Sequence, residues 1–127
     1  FLNGLTAVQM AMHGHLNGSQ AIKEVAATIR DALIPPCFGV SYGGDEFVVV
    51  LPCYDKGAAL QKAEEIRGLM SRTVYLSNKG KNIRLTASFG VASFPEDARN
   101  ITRLLSVADK AMFTVKNKGK DSVGSAY

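Results

Sequence analysis

"SYGGDEFVVVLP", residues 41–52, is the stretch on which the reading of this chain turns. Paired glycines and paired carboxylates stand between an aromatic residue and a run of strand formers. Gly43 and Gly44 supply the positive φ that a tight two-residue turn demands, so residues 37–42 and 46–51 read as the two strands of a hairpin. The run from Phe47 to Leu51 is too apolar for a free sheet edge. It is expected to be central, with the turn at the mouth of the sheet. Two uses of that turn stay open on the residues alone. Either Asp45 and Glu46 are solvated residues beside an ordinary bend, or bare glycine backbone admits a nucleotide while a carboxylate holds Mg²⁺ shared with its phosphates.

Working outward, Ala21, Ile22, Val25, Ala26, Ile29 and Leu33 recur at three- and four-residue steps, which predicts an amphipathic helix over 18–33 with Asn17 or Ser19 as its N-cap. The prolines of "IPPC" end it. A second helix is expected over 55–72. Residues 73–94 then read as a hairpin whose turn is "NKGKN" and whose long arm starts at Ile83. Asn100 or Thr102 caps a third helix that ends near Gly119, and a short strand is expected over 122–126. Strands interleaved with helices point to an α/β (α+β) domain. A ferredoxin-like βαββαβ core fits best, with a central antiparallel or mixed sheet flanked by helices and the glycine turn at the sheet edge of the site. No glycine fingerprint supports a dinucleotide-binding Rossmann fold.

At 127 residues and 46% apolar, the chain suits one domain with a real core. Its net charge of +4 is compatible with anionic ligands, but no basic block argues for nucleic-acid binding. No apolar run reaches the ~18 residues of a membrane span. Cys37 and Cys53 border apolar runs and are expected as buried thiols rather than a disulfide, which suits a cytoplasmic setting. His13 and His15 alone make a poor metal site. The abrupt start at Phe1 reads as an N-terminal truncation of a longer parent, whether membrane-attached or not, with 1–127 as a single domain.

"YGGDEF" followed by "VVVLP" resembles the signature hairpin of the GGDEF domains, the diguanylate cyclases. "GHLNGSQAIKEVAATIR", "LTASFGVASFP" and "LLSVADKAMFTVKNKGKDSV" are similar to three further family segments, in family order over nearly the whole chain. The resemblance implies a nucleotidyltransferase of bacterial signalling that joins two nucleoside triphosphates into a cyclic dinucleotide second messenger and releases pyrophosphate. It implies that Gly43 and Gly44 line the nucleotide, and that Asp45 and Glu46 are catalytic and hold Mg²⁺ or Mn²⁺. Lys116 and Lys120 match positions that contact the triphosphate, and a second copy of the domain supplies the other half of the reaction in a transient antiparallel dimer. An upstream sensory domain in the parent chain would control that pairing.

Three departures carry weight. The family's first strand ends in a metal-binding aspartate. The nearest placement here sets Phe1 at that aspartate, Asn3 after it, Thr6 at a lysine and Gln9 at the asparagine that reads the base. Ser19 stands where most members have a base-reading aspartate. A hydroxyl can donate or accept, so it suits adenine as well as guanine, and a serine-bearing subgroup accepts ATP beside GTP and makes cyclic GMP-AMP. Ile34 and Cys37 occupy the arginine and aspartate positions of the product-inhibition motif, which argues against feedback there. Two functional readings follow: an active cyclase making cyclic di-GMP or cyclic GMP-AMP, or a degenerate domain that binds nucleotide or dimerises without turnover.

Overall fold

The computed structural model describes residues 4–14 and 19–126, apart from the side chain of Asn78. In chain order the elements are β1 (Leu5–His13), α1 (Ser19–Asp31), β2 (Phe38–Ser41), β3 (Glu46–Pro52), α2 (Lys56–Arg72), a 3₁₀ turn (Ser77–Lys79), β4 (Thr86–Phe94), α3 (Ile101–Asn117) and β5 (Ser122–Ser125). The strands form one sheet in the order β2-β3-β1-β4-β5. β1 is antiparallel to both β3 and β4, β2 is antiparallel to β3, and β5 alone is parallel to its neighbour. The first four strands with α1 and α2 are the ferredoxin-like core, and α3 with β5 extends it by one crossover.

β1 is the middle strand, and Thr6 through Met12 are all buried. Alternation sends Val8, Met10 and Met12 into one cluster with Val25 and Ile29 of α1 and Ala63 and Ile66 of α2. Ala7 belongs to a second cluster with Leu104, Val107 and Ala108 of α3. Helices therefore cover both faces. Burying a Val, Leu or Ile side chain at such a site stabilises by about 1.5–3 kcal/mol. α3 lies so close on β4 that a Cβ at Gly90 would collide with the Met112 amide nitrogen and the Ala108 carbonyl. Local rules set the helix starts: Asp55 accepts from Ala58 N, and Asn100 accepts from Arg103 N at 2.8 Å.

The structure corrects four expectations. The apolar run from Phe47 to Leu51 is interior, between β2 and β1, but β1 holds the centre. The hairpin over 73–94 shrinks to one bridge, Tyr75↔Ile83, and β4 starts only at Thr86. Tyr75 is 1% exposed and its hydroxyl meets Thr28 Oγ1 at 2.9 Å, so this arm is drawn to α1 instead of the sheet. Leu76, at φ 61°, then turns the chain into the 3₁₀ turn. Between β2 and β3 the link is longer than two residues, running from Tyr42 through Asp45. Finally, both cysteines are free thiols as expected, but Cys37 is half-buried and Cys53 exposed. Asn17 as an N-cap lies outside the described residues, and Ser19 is the first residue of α1. No helix among the described residues is long and apolar enough to cross a membrane.

Candidate nucleotide site at the glycine-carboxylate turn

The turn is closed by Tyr42 N donating to the Glu46 carbonyl at 2.8 Å. Gly43 sits at φ +129°, a conformation that glycine adopts freely, and nothing lies within 4 Å of where a Cβ would stand on Gly43 or Gly44. The backbone here is open on its outer side. The turn is pinned inward by Met12 N, which donates to the Asp45 carbonyl at 2.9 Å and so fastens it to the end of β1. Asp45 is exposed and Glu46 half-buried.

Glu46 opposes Ala11 in the register, which turns it toward the α3 face. There Gln9 Nε2 donates to Glu46 Oε1 at 3.1 Å, and Gln9 itself is 1% exposed. The pair borders a cleft of about 540 Å³ whose wall includes Tyr42, Thr102, Ser106 and Asp109. Gln9, expected as the base-reading residue, is thus hydrogen-bonded to Glu46 at the edge of this cleft. It is a strand residue facing α3, whereas Ser19 begins α1 on the opposite face of the sheet. Thr6 is likewise inside β1, fully buried, with Oγ1 donating to the Tyr54 carbonyl at 2.9 Å. Phe1 and Asn3 lie outside the described residues.

His13, the last residue of β1, meets Ser88 Oγ through Nε2 at 2.8 Å. Burial pushes its pKa below the usual histidine value, and Lys120 and Lys116 push it further down, while Asp45 and Asp121 act the other way. Strand register brings the turn, the end of β1 and the end of α3 to one corner: Met12 N is hydrogen-bonded to Asp45, Ala11 is opposite Ser88, and Ser88 is opposite Ser122, just after α3. Lys116 and Lys120 are both exposed there. Lys120 N reaches back to the Val115 carbonyl at 3.1 Å, after which Gly119, Lys120 and Asp121 run at φ 129°, 64° and 45°. Left-handed backbone costs a non-glycine residue about 1 kcal/mol or more, so this loop is held in a conformation its residues would not choose.

The β1 residues beside the turn are Ala11, Met12 and His13, none of them a carboxylate. Among the described residues no group of three or more His, Cys, Asp and Glu could cage a metal. Asp45 at an open turn nevertheless fits the usual manner of Mg²⁺, which takes one or two carboxylates and completes its shell with substrate phosphates and water. Ile34 is 78% exposed, and Cys37 lines a mainly apolar groove of about 330 Å³ in which Arg30 is the one charged residue among the described residues. The residues that sequence reasoning missed are Gln9 as the partner of Glu46, His13 at the lysine corner, and Arg67, described below. Only the apolar context of Gln9 within "AVQMAM" offered a local signal.

Comparison with known proteins shows the family and the fold. The family described as diguanylate cyclase, GGDEF domain, matches residues 10–122. Diguanylate cyclase DosC of Escherichia coli K12 is 31% identical over 110 residues, 87% of this chain and 24% of that protein. Diguanylate cyclase A of Treponema denticola is 32% identical over 111 residues, again 87% of this chain but 30% of that protein. The chain thus spans less than a third of either relative. The crystal structure of the GGDEF domain of YfiN from Pseudomonas aeruginosa superposes with a TM-score of 0.88 at 27% identity, covering 98% of this chain and 83% of that one.

Proposed function

This chain belongs to the diguanylate cyclase GGDEF domain family, and from that premise we propose that it condenses two nucleoside triphosphates into a 3′,5′-cyclic dinucleotide with release of pyrophosphate. The observation that carries the reading is the open turn at Gly43 and Gly44, fastened to β1 by the Met12–Asp45 hydrogen bond and sharing its corner with Lys116 and Lys120.

In this reading the bare turn lets the sugar and α-phosphate approach the backbone. Lys116 and Lys120 balance the phosphate charge. Asp45 would hold a divalent cation, Mg²⁺ or Mn²⁺, which when bound would supply charge stabilisation for the departing pyrophosphate. Glu46, oriented by Gln9, stands on the side from which the 3′-hydroxyl of a second nucleotide comes, held by a second copy of the domain. Ser19, exposed at the start of α1, meets the base edge and accepts GTP and ATP. A sensory segment elsewhere in the parent chain brings two copies together.

A second reading, nucleotide binding without turnover, is favoured by one observation: the end of β1 beside the turn, Ala11, Met12 and His13, carries no carboxylate that could share a metal with Asp45. Incubation with Mg²⁺ and GTP, ATP or both, with products resolved by chromatography, separates the readings. Cyclic dinucleotide containing adenine supports the full proposal. Cyclic di-GMP alone removes the role of Ser19, and bound but intact nucleotide leaves only the second reading.

A further inference from the structure

Arg67 lies on α2, away from every motif, yet it reaches the lysine loop. Its Nη1 donates to Asp121 Oδ1 at 3.2 Å, while Nε and Nη2 grip Glu64 at 2.8 and 2.6 Å. Asp121 directly follows Lys120, and both have left-handed backbone, with φ of 45° and 64°. On the other side the loop is tied by Lys120 N to the Val115 carbonyl, and after it Ser122 enters the sheet opposite Ser88, the residue that meets His13. The loop is therefore clamped between α2 and α3 at the corner that holds the turn. A planar guanidinium fixed on one edge by Glu64 presents its free edge in one direction, which a flexible ammonium does not do.

We infer that Arg67 is a positioning residue for triphosphate binding: through Asp121 it holds the loop in the left-handed conformation that aims Lys120 at the phosphates. Resting on the functional reading above, this adds to it a residue that touches no substrate. An exposed ion pair contributes little to global stability. Its effect is on which loop conformer is populated, and the readout is binding.

The test is titration calorimetry of GTP and of GMP, each with Mg²⁺, on the wild-type chain and on Arg67→Gln, Arg67→Lys, Asp121→Asn, Lys120→Ala and the double variant Arg67→Gln/Lys120→Ala. Arg67→Gln and Asp121→Asn are expected to weaken GTP about three- to ten-fold and leave GMP unchanged, with Arg67→Lys in between. The double variant should bind GTP no more weakly than Lys120→Ala alone, because Arg67 acts through Lys120. Additive losses, or equal losses for GTP and GMP, overturn the inference. If Lys120→Ala weakens GTP but Arg67→Gln does not, only the role of Arg67 falls. If Lys120→Ala leaves GTP binding intact, the reading of the lysine loop falls and the inference with it. Matching thermal midpoints across the variants exclude misfolding as the cause.

Discussion

Gln9 and Glu46, on neighbouring strands, are joined by a 3.1 Å hydrogen bond from a fully buried amide to a half-buried carboxylate. Gln9 thus fixes one of the two acids of the turn from inside the sheet. Gln9→Leu is close in volume and removes the side-chain amide, donor and acceptor together. A hydrogen bond to a charged group is worth about 1.5–3 kcal/mol, so turnover is expected to fall at least about tenfold with little change in KM for GTP. Steady-state kinetics check this, and a pure rise in KM would place the bond outside the chemistry.

Ser19→Asp is expected to restore guanine preference. The carboxylate accepts from the guanine edge and finds no matching donor pair on adenine, so GTP over ATP discrimination should rise at least about tenfold in competition assays. Equal use of both nucleotides by the variant would remove Ser19 from the base contact.

Two glycines separate fold from site. Gly90→Ala forces a Cβ into the α3 backbone at Met112 and Ala108 and is expected to cost about 3 kcal/mol or more, read as a large drop in thermal midpoint. Gly44→Ala meets no atom within 4 Å and should leave the midpoint unchanged. Its effect should appear as weaker nucleotide binding, where the added methyl crowds the open turn.

His13 gives the fold a pH signature. Its pKa is lowered by burial, then by Lys120 and Lys116, so between its folded value and the ordinary 6.5 the unfolded chain binds more protons. Stability from this group is fully present above 6.5 and is lost as pH falls through that window. Denaturation midpoints at pH 7.5, 6.5 and 5.5 should fall for the wild-type chain and fall less for His13→Asn. Parallel curves for the two would contradict the shift.

Local chemistry was legible in the sequence. The cap at Asn100, the apolar stripes of the helices and the glycine turn each follow from a few neighbouring residues. The central strand was not, because Thr6 through Met12 are buried on both faces and show no alternation to read. The arm before β4 was misread because the hydroxyl that draws Tyr75 inward belongs to Thr28, 47 residues away. In the candidate site, Asp45 and the lysines could be named from their motifs. The partners that orient such groups could not, since Gln9 is 37 residues from Glu46 and Arg67 is 54 from Asp121.

The most direct measurement is the stoichiometry of turnover with GTP and Mg²⁺, following pyrophosphate and cyclic dinucleotide together in the wild-type chain and in Asp45→Ala. The expected result is two pyrophosphates per cyclic product in the wild-type chain, and a loss of about a hundredfold or more in Asp45→Ala with the thermal midpoint retained. Wild-type protein that binds GTP and returns it unchanged, or Asp45→Ala that turns over at the wild-type rate, would contradict the account.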